Sequence, residues 1–294
     1  MAVGFIGLGN LGKAMASRLA GQGVELVVWN RTAEKARTFA NECGNSRVKR
    51  ANSPREVAES TQIIFLNLFD SPAVADVLKG SEGLLAGECQ GKTIIDTTTN
   101  HFKTVLEFHG IVAKAGASYL EAPVLGSVVP ALQGALTMLV SGDKSSLEKA
   151  KPQIDLLAKT VFYLGEPGLA TKMKLINNLV LGSFMASIAE AIALAESGGI
   201  SREKAIEILA SGAGSSAVLN AKRQKLIESD FSPHFSVAAI HKDLRYLAEM
   251  IQAFGMEGGV SSSAERLFRV AENKGLGESD LSAIVKILIG QSKP

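Results

Sequence analysis

Near the middle of this chain a lysine is followed four residues later by an asparagine, Lys174 and Asn178. Residues four apart share one face of a helix. From Leu175 to Ala189 there is no charged side chain. Burial disfavours the charged form of a lysine, so Lys174 at the edge of this run is a candidate proton donor. The alternative is a lysine that snorkels its ammonium to water. A second set of residues stands near the start, where Gly7-Leu8-Gly9-Asn10-Leu11-Gly12 follows the short apolar run Ala2 to Gly7. In a G-x-G-x-x-G turn the first glycine allows the bend and the second admits a pyrophosphate. The third lets helix pack on strand, and the helix N-terminus supplies N–H donors.

The residues after the next strand choose the nucleotide. An NAD site wants an acid there for the ribose hydroxyls, but this chain has Asn30-Arg31-Thr32. A guanidinium pairs with a 2′-phosphate that a carboxylate would repel. NADP is therefore expected, NAD less so; the alternative is that Arg31 is a solvated residue at a helix start. Leu68-Phe69 and Thr97-Thr98-Thr99 follow two later strands and are expected beside the cofactor. The threonine hydroxyls suit a nicotinamide or substrate oxygen, and equally a helix N-cap by Thr99 or Asn100. His241-Lys242-Asp243 is a polar cluster in an apolar helix, able to reach a cleft or to pair with its neighbours.

The elements that must position these residues fall into two halves. Strands are expected at Ala2–Gly7, Val24–Trp29, Ile63–Asn67, Thr93–Asp96, Ser118–Glu121 and Leu136–Ser141. Helices alternate with them, among them Ser71–Lys79 and Asp143–Leu157. Strand, glycine turn, helix, strand within about 30 residues is a βαβ unit. After Gly168 only helical stripes follow: Ser201–Ala210 with Ser201 as N-cap, Ser215–Ile227, Val237–Phe254, Ser261–Asn273 and Leu281–Ile289. The expectation is an α/β Rossmann-type domain over residues 1–164 and an all-α domain over 165–294, joined through one long shared helix. That helix begins after Gly165, Pro167 and Gly168, ends at Gly198-Gly199, and spans about 45 Å at about 1.5 Å per residue. Its apolar residues cover every face, which predicts burial. Asn178, Ser183 and Ser187 break the run too often for a bilayer, which needs about 20 apolar residues. An apolar face left over on so long a helix predicts a homodimer or homotetramer.

The chain's 294 residues leave room for two domains, with 46% apolar and 20% charged residues and a net charge of +2. That balance gives no reason to expect nucleic acid or an anionic membrane as a partner. Cys43 and Cys89 lie far apart, and His101, His109, His234 and His241 show no ligand spacing. The expectation is a reducing, cytoplasmic setting and no metal. No basic stretch precedes the first apolar residues, unlike a signal peptide.

Together these pieces resemble the β-hydroxyacid dehydrogenases, which include 3-hydroxyisobutyrate dehydrogenase and glyoxylate/succinic semialdehyde reductase. The resemblance spans nearly the whole chain. The glycine-rich signature is similar to Gly4 through Leu19, and the nicotinamide-side motif to Asp96 with Thr98 and Thr99. The substrate loop resembles Glu121-Ala122-Pro123-Val124-Leu125-Gly126-Ser127, and the catalytic motif Gly165 through Asn178. A late Lys-Asp pair resembles Lys242-Asp243, with Phe235 upstream. Glu121, Ser127 and the Tyr163-Leu164-Gly165 turn resemble the glyoxylate/succinic semialdehyde reductase branch. The resemblance implies hydride transfer between NADPH and a small aldehyde or hydroxy acid, with Lys174 as acid/base and Asn178 beside it. It implies substrate contacts at Thr99, Val124, Leu125, Gly126, Phe235 and Asp243, and a cofactor contact at Lys242. Leu125 departs from the family, which usually carries a serine there for the substrate carboxylate. Two other readings share these motifs: an imine reductase, which typically lacks the lysine, and a non-catalytic NADP-binding module.

Overall fold

A computed structural model describes residues 2–43 and 47–289. The chain divides into two compact units, one up to Lys174 and one from Leu175 onward.

The first unit is built on β1 (Val3–Ile6), β2 (Leu26–Trp29), β3 (Val48–Arg50), β4 (Ile63–Leu66), β5 (Thr93–Asp96), β6 (Ser118–Glu121), β7 (Val124–Leu125), β8 (Leu136–Ser141) and β9 (Ala158–Gly165). Between them lie α1 (Asn10–Gly21), α2 (Ala33–Glu42), α3 (Pro54–Ser60), α4 (Ser71–Lys79), α5 (Thr104–Lys114), α6 (Val128–Gln133) and α7 (Lys144–Leu157). The sheet order is β3-β2-β1-β4-β5-β6-β8-β7, with β9 added on β8. From β3 to β6 every pairing is parallel. This is the doubly wound order, and its direction reverses between β1 and β4.

Alternation along the strands splits the core between the two faces of the sheet. Phe5, Phe65 and Ile95 face α1, α2 and α7 through Met15, Leu19, Phe39 and Ile154. Ile6, Ile64 and Ile94 face α3, α4 and α5 through Val57, Val74 and Phe108. Helix starts follow local chemistry. Ser53, Asp70 and Asp143 accept from the N–H three residues on, and so cap α3, α4 and α7.

The helix α8 (Leu169–Ser197) begins in the first unit and continues into the second, as a change from strands to helices after Gly168 predicts. The second unit adds α9 (Arg202–Ser211), α10 (Ala217–Glu228), α11 (Val237–Ala253), α12 (Val260–Ala271) and α13 (Val285–Ile289). Ser201, Ser216 and Ser236 cap α9, α10 and α11 with their hydroxyls. Gly182 on α8 leaves the space that Leu244 of α11 occupies.

Three expectations need correction. α8 is not buried all round: Ile176, Val180 and Phe184 are 43–46% exposed, because its neighbours cover one side only. By length and composition α8 is apolar enough to cross a membrane, so its polar interruptions do not bar that; half of its most apolar window is buried within the protein. Tyr163 to Gly165 is not a free turn but the end of β9, paired in parallel with β8.

Candidate nucleotide and proton-transfer site

The glycine turn sits at the carboxyl end of β1, where the sheet order reverses. Gly7 has φ +100°, and a Cβ there would collide with the Asn67 carbonyl in the loop after β4. A Cβ on Gly12 would collide with the Gly7 carbonyl. Gly9 has open space around it. It precedes an α1 that has no side-chain cap and no acid in its first turn. A helix start without a side-chain cap, positive helix potential and open space are what a pyrophosphate needs. Leu8 is buried, while Asn10 is exposed and Leu11 half-buried along the same turn. The residues present therefore fit a dinucleotide.

Asn30 ends β2 and braces this turn. Its Oδ1 accepts from the Leu8 N–H at 2.9 Å, and its Nδ2 donates to the Thr32 carbonyl at 3.0 Å. Arg31 and Thr32 are exposed at the mouth. Arg31 forms no ion pair among the described residues, which leaves its guanidinium available for an anion.

The threonines after β5 divide into two kinds. Thr97 Oγ1 accepts from Asn67 Nδ2 at 2.8 Å and donates to the Leu66 carbonyl at 2.7 Å. Thr98 Oγ1 accepts from the Leu68 N–H at 3.0 Å. These two hydroxyls knit the loops after β4 and β5. Thr99 is half-buried. Neither Thr99 nor Asn100 caps α5, which starts at Thr104 without a side-chain cap. Instead Asn100 donates to Asp96 Oδ2 at 2.7 Å and accepts from Ser71 Oγ at 2.9 Å. Asp96 also takes the Thr98 N–H at 2.9 Å and the Tyr119 hydroxyl. Burial pushes the Asp96 carboxyl up from the ordinary range against these bonds, and pushes the Tyr119 phenol up as well.

Val124 and Leu125 form β7, antiparallel to β8, with Leu125 opposite Thr137. Val124 is buried, Leu125 half-buried and Gly126 exposed. Lys174 is about nine-tenths buried on α8. The start of that helix is pinned to the sheet. Buried Glu121 accepts from the Gly168 N–H, and from the Thr171 N–H at 2.8 Å. Ser141 Oγ accepts from the Ala170 N–H at 3.0 Å.

In the second unit Asn178 is fully buried. Its Nδ2 donates to Asp243 Oδ2 at 2.5 Å, and its Oδ1 accepts from Asn177 at 3.1 Å. Lys242 Nζ lies 2.9 Å from Asp243 Oδ1 as a charge contact rather than a directed hydrogen bond. Asn178, Lys242 and Asp243 are thus one buried group, built by pairing between neighbours. Half-buried Phe235 precedes α11 in a loop held by Asp280. That carboxylate takes Lys222 Nζ at 2.7 Å, the His234 N–H at 3.1 Å and the Phe235 N–H at 3.4 Å. Burial works against the Asp280 charge, yet the Lys222 bond and those from Ser282 hold its carboxyl below the ordinary value.

Sequence reasoning missed the roles of Asp96, Glu121, Ser141 and Asp280. The available signal was an acid closing an apolar strand, as in Ser-Tyr-Leu-Glu and Thr-Ile-Ile-Asp. A carboxylate so placed is buried, and a buried carboxylate has partners.

Comparison with known proteins agrees with this geometry. Residues 2–165 match the family model for the NAD binding domain of 6-phosphogluconate dehydrogenase. Residues 168–288 match that for the NAD-binding of NADP-dependent 3-hydroxyisobutyrate dehydrogenase. The chain is 34% identical to glyoxylate/succinic semialdehyde reductase 1 of Arabidopsis thaliana, covering 97% of this chain and 98% of that one. It is 35% identical to human cytokine-like nuclear factor N-PAC, over 98% of this chain but only 51% of the relative's length. A solved 3-hydroxyisobutyrate dehydrogenase from Salmonella typhimurium superposes with a TM-score of 0.89 at 27% identity, covering 98% and 99% of the two chains. A structure described as Psf3 in complex with NADP+ and 2-OPP gives 0.90 at 28%, covering 98% and 100%.

Proposed function

The chain belongs to the β-hydroxyacid dehydrogenase family, and we propose that it is an NADP(H)-dependent oxidoreductase of small aldehyde acids or β-hydroxy acids, with Lys174 as proton donor. A bound nicotinamide supplies the hydride chemistry, and the protein supplies position, charge and exclusion of water. The Gly7–Gly12 turn and the start of α1 hold the pyrophosphate, Arg31 pairs with the 2′-phosphate, and Leu68 and Thr99 border the nicotinamide. In reduction the Lys174 ammonium gives a proton from Nζ to the developing alkoxide; in oxidation the neutral amine takes it back. Asp243 orients the Asn178 amide through the bond between them, and Asn178 lies one helical turn beyond Lys174. Val124, Leu125 and Gly126 border the substrate acid group, where Leu125 replaces a donor with an apolar wall. By the family resemblance alone, Lys242 is assigned to the cofactor and Phe235 to the substrate.

One observation carries this reading: a lysine about nine-tenths buried, just beyond a helix start tied to the sheet by Glu121 and Ser141. A second reading, an NADP-binding module without turnover, is favoured by the similarity to N-PAC, named as a nuclear factor. One experiment separates them. Glyoxylate, succinic semialdehyde and methylmalonate semialdehyde are assayed with NADPH in wild type and Lys174→Ala. The substitution is expected to lower kcat by about 10²-fold or more, the scale of a positioned acid–base group, with NADPH affinity unchanged. Near wild-type turnover in the variant removes Lys174 from the chemistry. No turnover in the wild type favours the binding module.

A further inference from the structure

We propose that Glu121 is the positioning residue for Lys174, acting by holding the first turn of α8 through both oxygens of its carboxylate. This rests on the reading of Lys174 as proton donor. A helix start leaves its first N–H groups without partners, and these are usually met by a side chain just before the helix or by water. Here they are met from the sheet. Glu121 Oε1 takes the Gly168 N–H and Oε2 the Thr171 N–H, while Ser141 Oγ takes the Ala170 N–H. Glu121 and Ser141 are also the register pair that joins β6 to β8. The residues by which two strands meet are therefore those whose side chains grip the helix.

Glu121 is 1% exposed. Its carboxylate is met by the two amides and by the positive end of α8, and the His109 ring lies beside it, with Nε2 3.6 Å from Oε1. Gly168, at φ +90°, lets the chain turn so that its N–H points at the carboxylate. Lys174 follows Thr171 by three residues, less than one turn of a rigid element. A tilt of that turn displaces the amine directly, and misplacement of about 1 Å costs up to about 10²-fold in rate.

The test is a double-mutant cycle with succinic semialdehyde and NADPH. Glu121→Gln keeps the shape but replaces one acceptor oxygen with a donor. It is expected to lower kcat by about tenfold, with KM and NADPH affinity within about twofold. In a Lys174→Ala background the same substitution is expected to change nothing further, because the group it positions is gone. Equal fractional losses in both backgrounds would mean general damage and would overturn the proposal. Unchanged kcat in Glu121→Gln, with Lys174→Ala inactive, overturns it while leaving the role of Lys174 standing. An active Lys174→Ala overturns the donor reading itself. Amide exchange without substrate gives an independent readout: residues 168–174 should lose protection in Glu121→Gln while α1 does not, and unchanged protection counts against the proposal. If Glu121→Gln does not fold, Ser141→Ala, which removes one neutral acceptor, goes through the same cycle with the same criteria.

Discussion

Arg31 stands exposed where an NAD-selective site would place a carboxylate. A charge-assisted bond to a 2′-phosphate is worth about 1.5–3 kcal/mol, or about one to two decades in affinity. Titration of both cofactors is expected to show tighter binding of NADP(H), and Arg31→Asp is expected to abolish or reverse that order. Equal affinities in the wild type would contradict it. The glycine turn offers a paired measurement. Gly9 has open space around it and Gly12 meets a backbone carbonyl. Gly9→Ala should keep the wild-type Tm but weaken NADPH, because its methyl enters the space left for the pyrophosphate. Gly12→Ala should lower Tm by several degrees, because α1 must move off β1 to admit the methyl. Similar Tm values for the two variants would show that the turn is held some other way.

The cap of α7 shows what a single element owes to charge. Asp143 accepts from the Ser145 hydroxyl at 2.5 Å, the Ser146 N–H at 2.7 Å and the Ser146 hydroxyl at 2.8 Å. These bonds bring its pKa from the ordinary 3.8 down to about 2. The folded value lies below the unfolded one, so the contribution is full above about pH 4 and is lost as pH falls toward 2. Urea midpoints between pH 5 and pH 2 should fall less steeply for Asp143→Asn than for the wild type. Parallel curves would show that the cap charge is not what titrates. Elements like this one were legible in the sequence, because a cap, a glycine turn and an apolar strand are local patterns. So were the start and end of α8, marked by glycines. Roles set by distant partners were not. Nothing near Thr97 or Thr98 reveals that their hydroxyls are bound to Asn67 and Leu68, some thirty residues earlier. Nothing near Glu121 points to the amides of Gly168 and Thr171. The strand β9 escaped notice because Lys159, Thr160, Phe162 and Tyr163 are all exposed at the sheet edge, without the buried alternation that marks a strand.

For the molecule as a whole, the uncovered side of α8 is the feature with the plainest test. Ile176, Val180 and Phe184 recur at four-residue intervals, and Leu194, two turns and more beyond, is 67% exposed. An apolar stripe of this length is expected to be covered by a second copy of the chain. Light scattering at micromolar concentration should give a multiple of 30.9 kDa, and Val180→Glu should shift that mass toward the monomer. A monomeric wild type would remove the idea. The sheet order carries a different consequence, one of timing. β1 is central, with β2 on one side and β4 on the other, and its register sets Val3 against Ile63. One flank is made almost at once, while the other does not exist until the chain has been extended through Leu66. During synthesis β1 therefore waits with one edge open, and the wait is longest where translation is slow. Such long-range parallel pairing folds late and passes through half-formed sheets that can stick to one another. Growth temperature and expression rate should therefore govern the yield of this protein more strongly than its final stability does.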